Sequence, residues 1–268
     1  NGETAYFLYR SSDTLDYTFV ATLPPNTTNY LDATTTAVTE YYYYVQAVAG
    51  MIPGSVALPK PTVTPGGVIP SPWIPATIGG AIAPSVSAET DDVFTLISGT
   101  LTTDPTNDAL HFVHQALLGD GSIVARVADL EPTLDPSEAG LSIRQSLGPD
   151  AVSISLTTTP FAGTRLTYRS ATGGEAITEF VGWGGLTWLK LERSGNLFRA
   201  YTSDDGTTWT QAGPDIELEM EPTAFAGLAA MGNSTLNLYS AKFDNVEVTS
   251  SQPTGDFNND GDVTVVDL

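Results

Sequence analysis

Apolar and polar residues alternate in short runs along most of this chain, and Gly, Pro, Asn, Asp and Ser break the runs at short intervals. A period of two residues belongs to a half-buried β-strand, and long stripes with the period of a helix are hard to find. Near the start, strands are predicted at Thr4–Arg10, Tyr17–Leu23, Thr28–Leu31 and Glu40–Val48, with Ser11-Ser12-Asp13 and Pro24-Pro25-Asn26 as turns. Within the last of these, Tyr41, Tyr43, Val45 and Ala47 fall on one face, and Tyr42, Tyr44 and Gln46 on the other. After a stretch rich in Pro and Gly, candidates recur at Val93–Ser98, Ala109–Ala116, Gly121–Ala128, Ala139–Gln145, Val152–Thr157 and Thr164–Arg169. They continue at Leu186–Arg193, Leu197–Ser203, Thr223–Ala230 and Ser240–Thr249. Ten or so strands in about 175 residues imply a two-sheet sandwich or jelly roll. The chain therefore reads as all-β, with a first domain over 1–58, a Pro/Gly linker over 59–72, a larger sandwich over 73–249 and a terminal loop over 250–268. The Gly66-Gly67 pair suggests a hinge inside an otherwise semi-rigid spacer.

Ten basic residues against 31 acidic ones give a formal charge of −21, which argues against a nucleic-acid backbone as partner. Cysteine is absent, so neither disulfides nor thiol chemistry are available. No run of about 18 or more apolar residues is present to insert in a membrane as a helix. These features fit an extracellular, calcium-rich setting.

Candidate chemistry is sparse. The two histidines, His111 and His114, are three apart on a predicted strand, so they point to opposite faces and cannot share one metal or substrate. No Gly-x-Ser-x-Gly elbow, His-Glu-x-x-His helix or phosphate-cradling loop is present. Glu131, Asp135, Glu138, Glu175 and Glu179 supply carboxylates, but no motif singles out the pair a glycosidase needs. The sequence therefore gives no enzyme, and the chain is expected to lack a catalytic role. Trp183, flanked by Gly182 and by Gly184-Gly185, is the candidate for stacking on a sugar ring, whereas Trp73, Trp188 and Trp209 read as core.

The end of the chain is more specific. Asp256, Asn258 and Asp260 alternate ahead of Gly261, and Asp262 offers its backbone carbonyl, Thr264 a hydroxyl or a bound water, and Asp267 a closing carboxylate. A hard cation such as Ca2+ needs this convergence of oxygens around a sharp turn. The run resembles the first repeat of a dockerin, in which Asp closes the loop; the second repeat and both helices are missing, so cohesin binding is not implied. Calorimetric titration with calcium is expected to give heat with the wild type and none with Asp260→Ala; equal heats would exclude this loop as the site.

The stretch from Tyr6-Phe7-Leu8-Tyr9-Arg10 through Ala21-Thr22-Leu23-Pro24 to Tyr41–Val48 resembles a fibronectin type III domain. That resemblance implies that the Tyr41 hydroxyl bonds to nearby backbone. It also places Asn1 after two of the family's strands, so that Thr4–Arg10 would be an open edge completed by another copy or a neighbouring segment. The larger domain resembles a group of concanavalin-like bacterial sandwiches that occur as accessory modules on secreted proteins. The resemblance runs through His111–Gln115, Gly119–Val127, Ala139–Ser146, Trp188–Asn196, Ser203–Trp209 and Phe243-Asp244-Asn245-Val246. Together these imply an extracellular structural or adhesive protein, a subunit of a surface or filamentous assembly joined by strand addition and stabilised by calcium. The alternatives are a carbohydrate-binding accessory region of a secreted, dockerin-bearing glycoside hydrolase, or a hydrolase in its own right.

Overall fold

The computed structural model describes residues 2–251 apart from positions 14, 37–38, 50–51, 57–59, 64–65, 82–83, 102–103, 132–136, 184, 186 and 233–237. The proposed calcium ligands Asp256, Asn258, Asp260, Asp262, Thr264 and Asp267 lie outside the described residues, as does Asp135. Among the described residues every regular element is a strand, and no helix is long and apolar enough to cross a membrane.

The first domain is one five-stranded antiparallel sheet built from β1 (Ala5–Ser11), β2 (Thr18–Leu23), β3 (Glu40–Ala49), β4 (Ile52–Val56) and β5 (Lys60–Val63). Its order is β2-β1-β3-β4, and β5 pairs with the first half of β3, Glu40–Tyr43. The expectation of an open edge at Thr4–Arg10 is therefore corrected. β1 is hydrogen-bonded to β2 on one side and to β3 on the other, with Leu8 opposite both Ala21 and Val45. Two further readings change. Thr28–Leu31 is not a strand, and Lys60–Val63, read as linker, is one. Pro61 lacks an amide donor, which an edge strand tolerates and a central one does not. Tyr41 is buried, and its hydroxyl accepts from the Thr36 amide at 3.3 Å.

The larger domain continues with β6 (Ile74–Ile78), β7 (Val86–Thr90), β8 (Val93–Ser98), β9 (Leu110–Leu118), β10 (Gly121–Leu130), β11 (Glu138–Arg144) and β12 (Ser153–Thr159). It is completed by β13 (Gly163–Arg169), β14 (Ile177–Gly182), β15 (Trp188–Ser194), β16 (Leu197–Ser203), β17 (Thr210–Gln211), β18 (Ile216–Glu217), β19 (Thr223–Met231) and β20 (Tyr239–Ser250). These strands form two antiparallel sheets packed face to face, a β-sandwich as the alternation predicts. The eight-stranded sheet runs β17-β16-β15-β10-β20-β8-β7, with β18 also on β16; the seven-stranded sheet runs β14-β13-β12-β11-β19-β9-β6.

Period-two alternation builds the core between the sheets. Ile123, Ala125 and Val127 of β10, Leu189 and Leu191 of β15, and Phe243 of β20 come from one side. Leu141 and Ile143 of β11, Ile154 and Leu156 of β12, and Ala226 and Leu228 of β19 come from the other. All of these are sealed from solvent, and burying each large side chain contributes roughly 1.5–3 kcal/mol. The seven-stranded sheet also buries part of its outer surface, where Ile78, Leu110, Phe112 and Ala229 form a second, smaller cluster. As their spacing predicts, the two histidines diverge. His111 lies opposite Ala230 at the end of the inner face, while His114 stacks on Phe112 on the outer one, ring centroids 5.1 Å apart.

Candidate functional site

The strands that fill the core with one set of side chains must present the other set outward. In β11, Ala139, Leu141 and Ile143 point inward, which leaves Glu138, Gly140, Ser142 and Arg144 on the outer face of the seven-stranded sheet. The registers bring Ser153, Ser155 and Thr157 of β12 beside them, then Arg165, Thr167 and Arg169 of β13, then Thr178 and Phe180 of β14. A cavity of about 310 Å³ opens on this surface. Its walls carry the carboxylates of Asp104, Asp108 and Glu138, the guanidinium of Arg144 and the hydroxyls of Ser153, Ser155, Thr167 and Thr178.

Two arginines anchor it. The side chains of Arg144 and Arg169 are each only 1% exposed, and both bond to Asp108. Arg144 Nη1 donates to Asp108 Oδ2 at 2.6 Å, and Arg169 donates to Oδ1 at 2.6 Å and to Oδ2 at 3.0 Å. Other donors go to loop carbonyls, Arg144 Nη2 to Gly148 at 2.8 Å, and Arg169 to Gly174 at 2.8 Å and Ala151 at 3.1 Å, while Arg144 Nε is buried without a partner among the described residues. The Asp108 amide in turn donates to Pro149 O at 2.8 Å. The loops bordering the cavity are thus tied to one half-buried carboxylate. Glu138 is fixed separately, accepting from Arg165 at 2.6 Å and from the Thr157 hydroxyl at 2.7 Å. Asp104 accepts from the Thr106 amide at 2.8 Å and its hydroxyl at 2.7 Å, and these bonds hold its pKa below the ordinary carboxylate value. Three carboxylates are balanced by Arg144, Arg165 and Arg169. The cavity is electrically neutral but dense in oriented oxygen atoms.

An aromatic rim adjoins it. Phe180 alternates with Thr178 along β14, so it projects from the same face as the cavity wall. Its ring meets that of Trp183 edge-on at 5.0 Å, and the two residues are 53% and 83% exposed. Trp183 is thus held open to solvent, as its glycine neighbours suggest. Of the carboxylates named from sequence that lie among the described residues, only Glu138 lines the cavity; Glu179 accepts instead from the Tyr168 hydroxyl at 3.3 Å.

The reading of Trp188 and Trp209 as core is corrected. Leu189 and Leu191 take the inward positions of β15, so Trp188 falls on the outer face of the eight-stranded sheet, and Trp209 joins it there in a second depression. Trp73 does pack on the core, its ring 5.4 Å from that of Phe94.

No family model and no curated protein matches this chain. Solved structures do. A functionally unknown protein from Saccharomyces cerevisiae aligns over 62% of this chain and 92% of its own, at 15% identity and a TM-score of 0.51; at that identity the likeness is one of fold. An alginate lyase from Klebsiella pneumoniae aligns over 61% and 84%, at 10% identity and a TM-score of 0.45. The carbohydrate-binding module CBM66 from Bacillus subtilis aligns over 66% and 95%, at 15% and 0.43. The expectation of a chain without a catalytic role is corrected by these neighbours. An alginate lyase is among the structures similar to it. The chain carries an all-β sandwich of the jelly-roll, concanavalin-like kind.

Proposed function

We propose that this chain is an extracellular, carbohydrate-active region whose sandwich recognises a polysaccharide across the outer face of its seven-stranded sheet. The observation that carries the reading is the juxtaposition of a neutral, hydroxyl- and carboxylate-lined cavity with two exposed aromatic rings on one sheet surface. Sugar hydroxyls both donate and accept, so they suit carboxylates already oriented by arginines and hydroxyls with spare lone pairs. The apolar face of a pyranose suits an exposed indole. The cavity lies at the lower end of the size range of ligand pockets, and the rim would support the continuing sugar chain.

Affinity electrophoresis against a panel of soluble polysaccharides tests the proposal. Trp183→Ala is expected to weaken binding to the retarding polysaccharide about five- to tenfold, the worth of a stacking contact of about 1–1.5 kcal/mol. Glu138→Gln, which replaces the carboxylate paired with Arg165, is expected to weaken it further. Migration unchanged by both substitutions would exclude this face.

A second reading, that the cavity also acts on the bound chain, is favoured by the carboxylates of Asp104, Asp108 and Glu138 lining one space. Cleavage of a glycosidic bond draws on carboxylates held across it. New chain ends released by the wild type and lost in Glu138→Gln would support it.

A further inference from the structure

The depression on the opposite face of the sandwich stands apart from the cavity. β15 presents Trp188, Lys190 and Glu192 outward, and the registers set Ser122 and Val124 of β10 on one side of them and Tyr201 of β16 on the other. Trp209, just ahead of β17, completes a groove that Glu247 and Asn245 border. We propose that this groove is a second binding site, which takes the ring faces of a neutral pyranose polysaccharide on the opposite side of the molecule from the cavity.

Four observations point to that ligand. The first is rigidity. Gly206 has φ +73° and lies so close to Trp188 that a Cβ there would be 2.7 Å from the indole. A left-handed backbone and this close approach both require glycine. The same turn is locked by Asp205, which accepts from the amides of Thr207 at 2.8 Å and Thr208 at 2.7 Å, so Trp209 leaves it in a fixed direction. Rings ordered in advance lose little freedom on binding.

The second is unused hydrogen-bonding capacity. Neither indole N–H is bonded among the described residues, and neither is sealed from solvent. Glu247 is exposed and has no partner among the described residues. These two donors and one acceptor border the ring faces, where equatorial hydroxyls of a stacked sugar would meet them.

The third is charge. Lys190 is paired with Glu192 and lies 5.3 Å from the Tyr201 ring centroid and 5.7 Å from that of Trp209. Its charge is thus already matched by a carboxylate and two ring faces. With Glu247 free and a formal charge of −21 on the chain, an acidic polysaccharide would be repelled, while a neutral one pays no such cost. The fourth is room, since the depression is open to solvent and offers about 630 Å³.

The test uses the full chain carrying Trp183→Ala, so that the opposite face is weakened, in gels containing barley β-glucan, glucomannan or xylan, with alginate as the acidic comparison. At least one neutral polysaccharide is expected to retain its retardation. Adding Trp209→Ala is expected to reduce the apparent association constant at least fivefold, and adding Glu247→Gln, an exposed position, about twofold, with unchanged thermal melting. Trp209→Ala alone is expected to keep the part of the binding that Trp183 supports. No residual retardation in the Trp183→Ala chain overturns the proposal, and so does residual binding that both added substitutions leave unchanged. Retardation by alginate equal to that by the neutral polymers also overturns the assigned ligand class.

Discussion

Replacing Asp108 with Asn is expected to destabilise the sandwich by about 3–5 kcal/mol, read as a lower urea midpoint. Asp108 is the shared anion of two guanidiniums that are 1% exposed, so removing its charge leaves both buried cations uncompensated. The cost comes less from losing an attractive pair than from stranding charge where water cannot reach it. The loop carbonyls of Gly148, Ala151 and Gly174 keep their hydrogen bonds but supply only partial charge. Adding Arg169→Met to Asp108→Asn removes one stranded cation and is expected to recover part of the loss. A change under about 1 kcal/mol in Asp108→Asn would show that the cluster is not the anchor described, because ordinary surface substitutions already fall within about 0.5 kcal/mol.

Acidification is expected to destabilise the sandwich by about 3 kcal/mol through His111 alone, between pH 6.5 and pH 4. Burial pushes the His111 pKa down to about 4, and its cross-strand neighbours Thr77 and Ala230 carry no charge. His114, held between Phe112 and Phe225, is shifted the same way by burial. An imidazole in the unfolded chain takes up its proton near pH 6.5, whereas the folded protein resists until about pH 4. The stabilisation is therefore complete above pH 6.5 and is lost as the pH falls through this window. Glu40 and Glu131 oppose the trend, because burial raises their pKa values and favours the folded state in acid. Urea unfolding of wild type and His111→Leu across the window separates these contributions. The variant should show a shallower loss with acidification; identical slopes would exclude the histidine.

Much of the sandwich was legible because strands buried on one face write their period into the sequence. Leu141 and Ile143, or Leu189 and Leu191, mark an inward face without any knowledge of the partner strand. What escaped notice lies mostly at edges. β6 contains Pro75, β14 has half-exposed apolar residues on both faces, and β17 and β18 are two residues each, too short to show a period. The Trp188 assignment failed although the parity of Trp188-Leu189-Lys190-Leu191 contains the answer, since an inward Leu189 forces Trp188 outward. The cavity was illegible for a different reason. Asp108 meets Arg144 and Arg169 from 36 and 61 residues away, and only the closed sheet brings them together. Glu138 was one acid among many until Arg165 and Thr157 picked it out.

The stretch between the two domains has a consequence for where an autonomous folding unit begins. Residues 66–68 are not a free hinge. Val68 accepts from the Glu89 amide at 3.1 Å, and a Cβ at Gly66 would lie 2.5 Å from Ser87 O, so the chain runs in close apposition to β7 as a strap. Ile69 then packs against the core, ahead of Trp73. A sandwich excised at Trp73 would leave the Glu89 amide without its acceptor and open the space that Ile69 covers. The autonomous unit therefore starts near Gly66, inside the proline-rich stretch rather than after it.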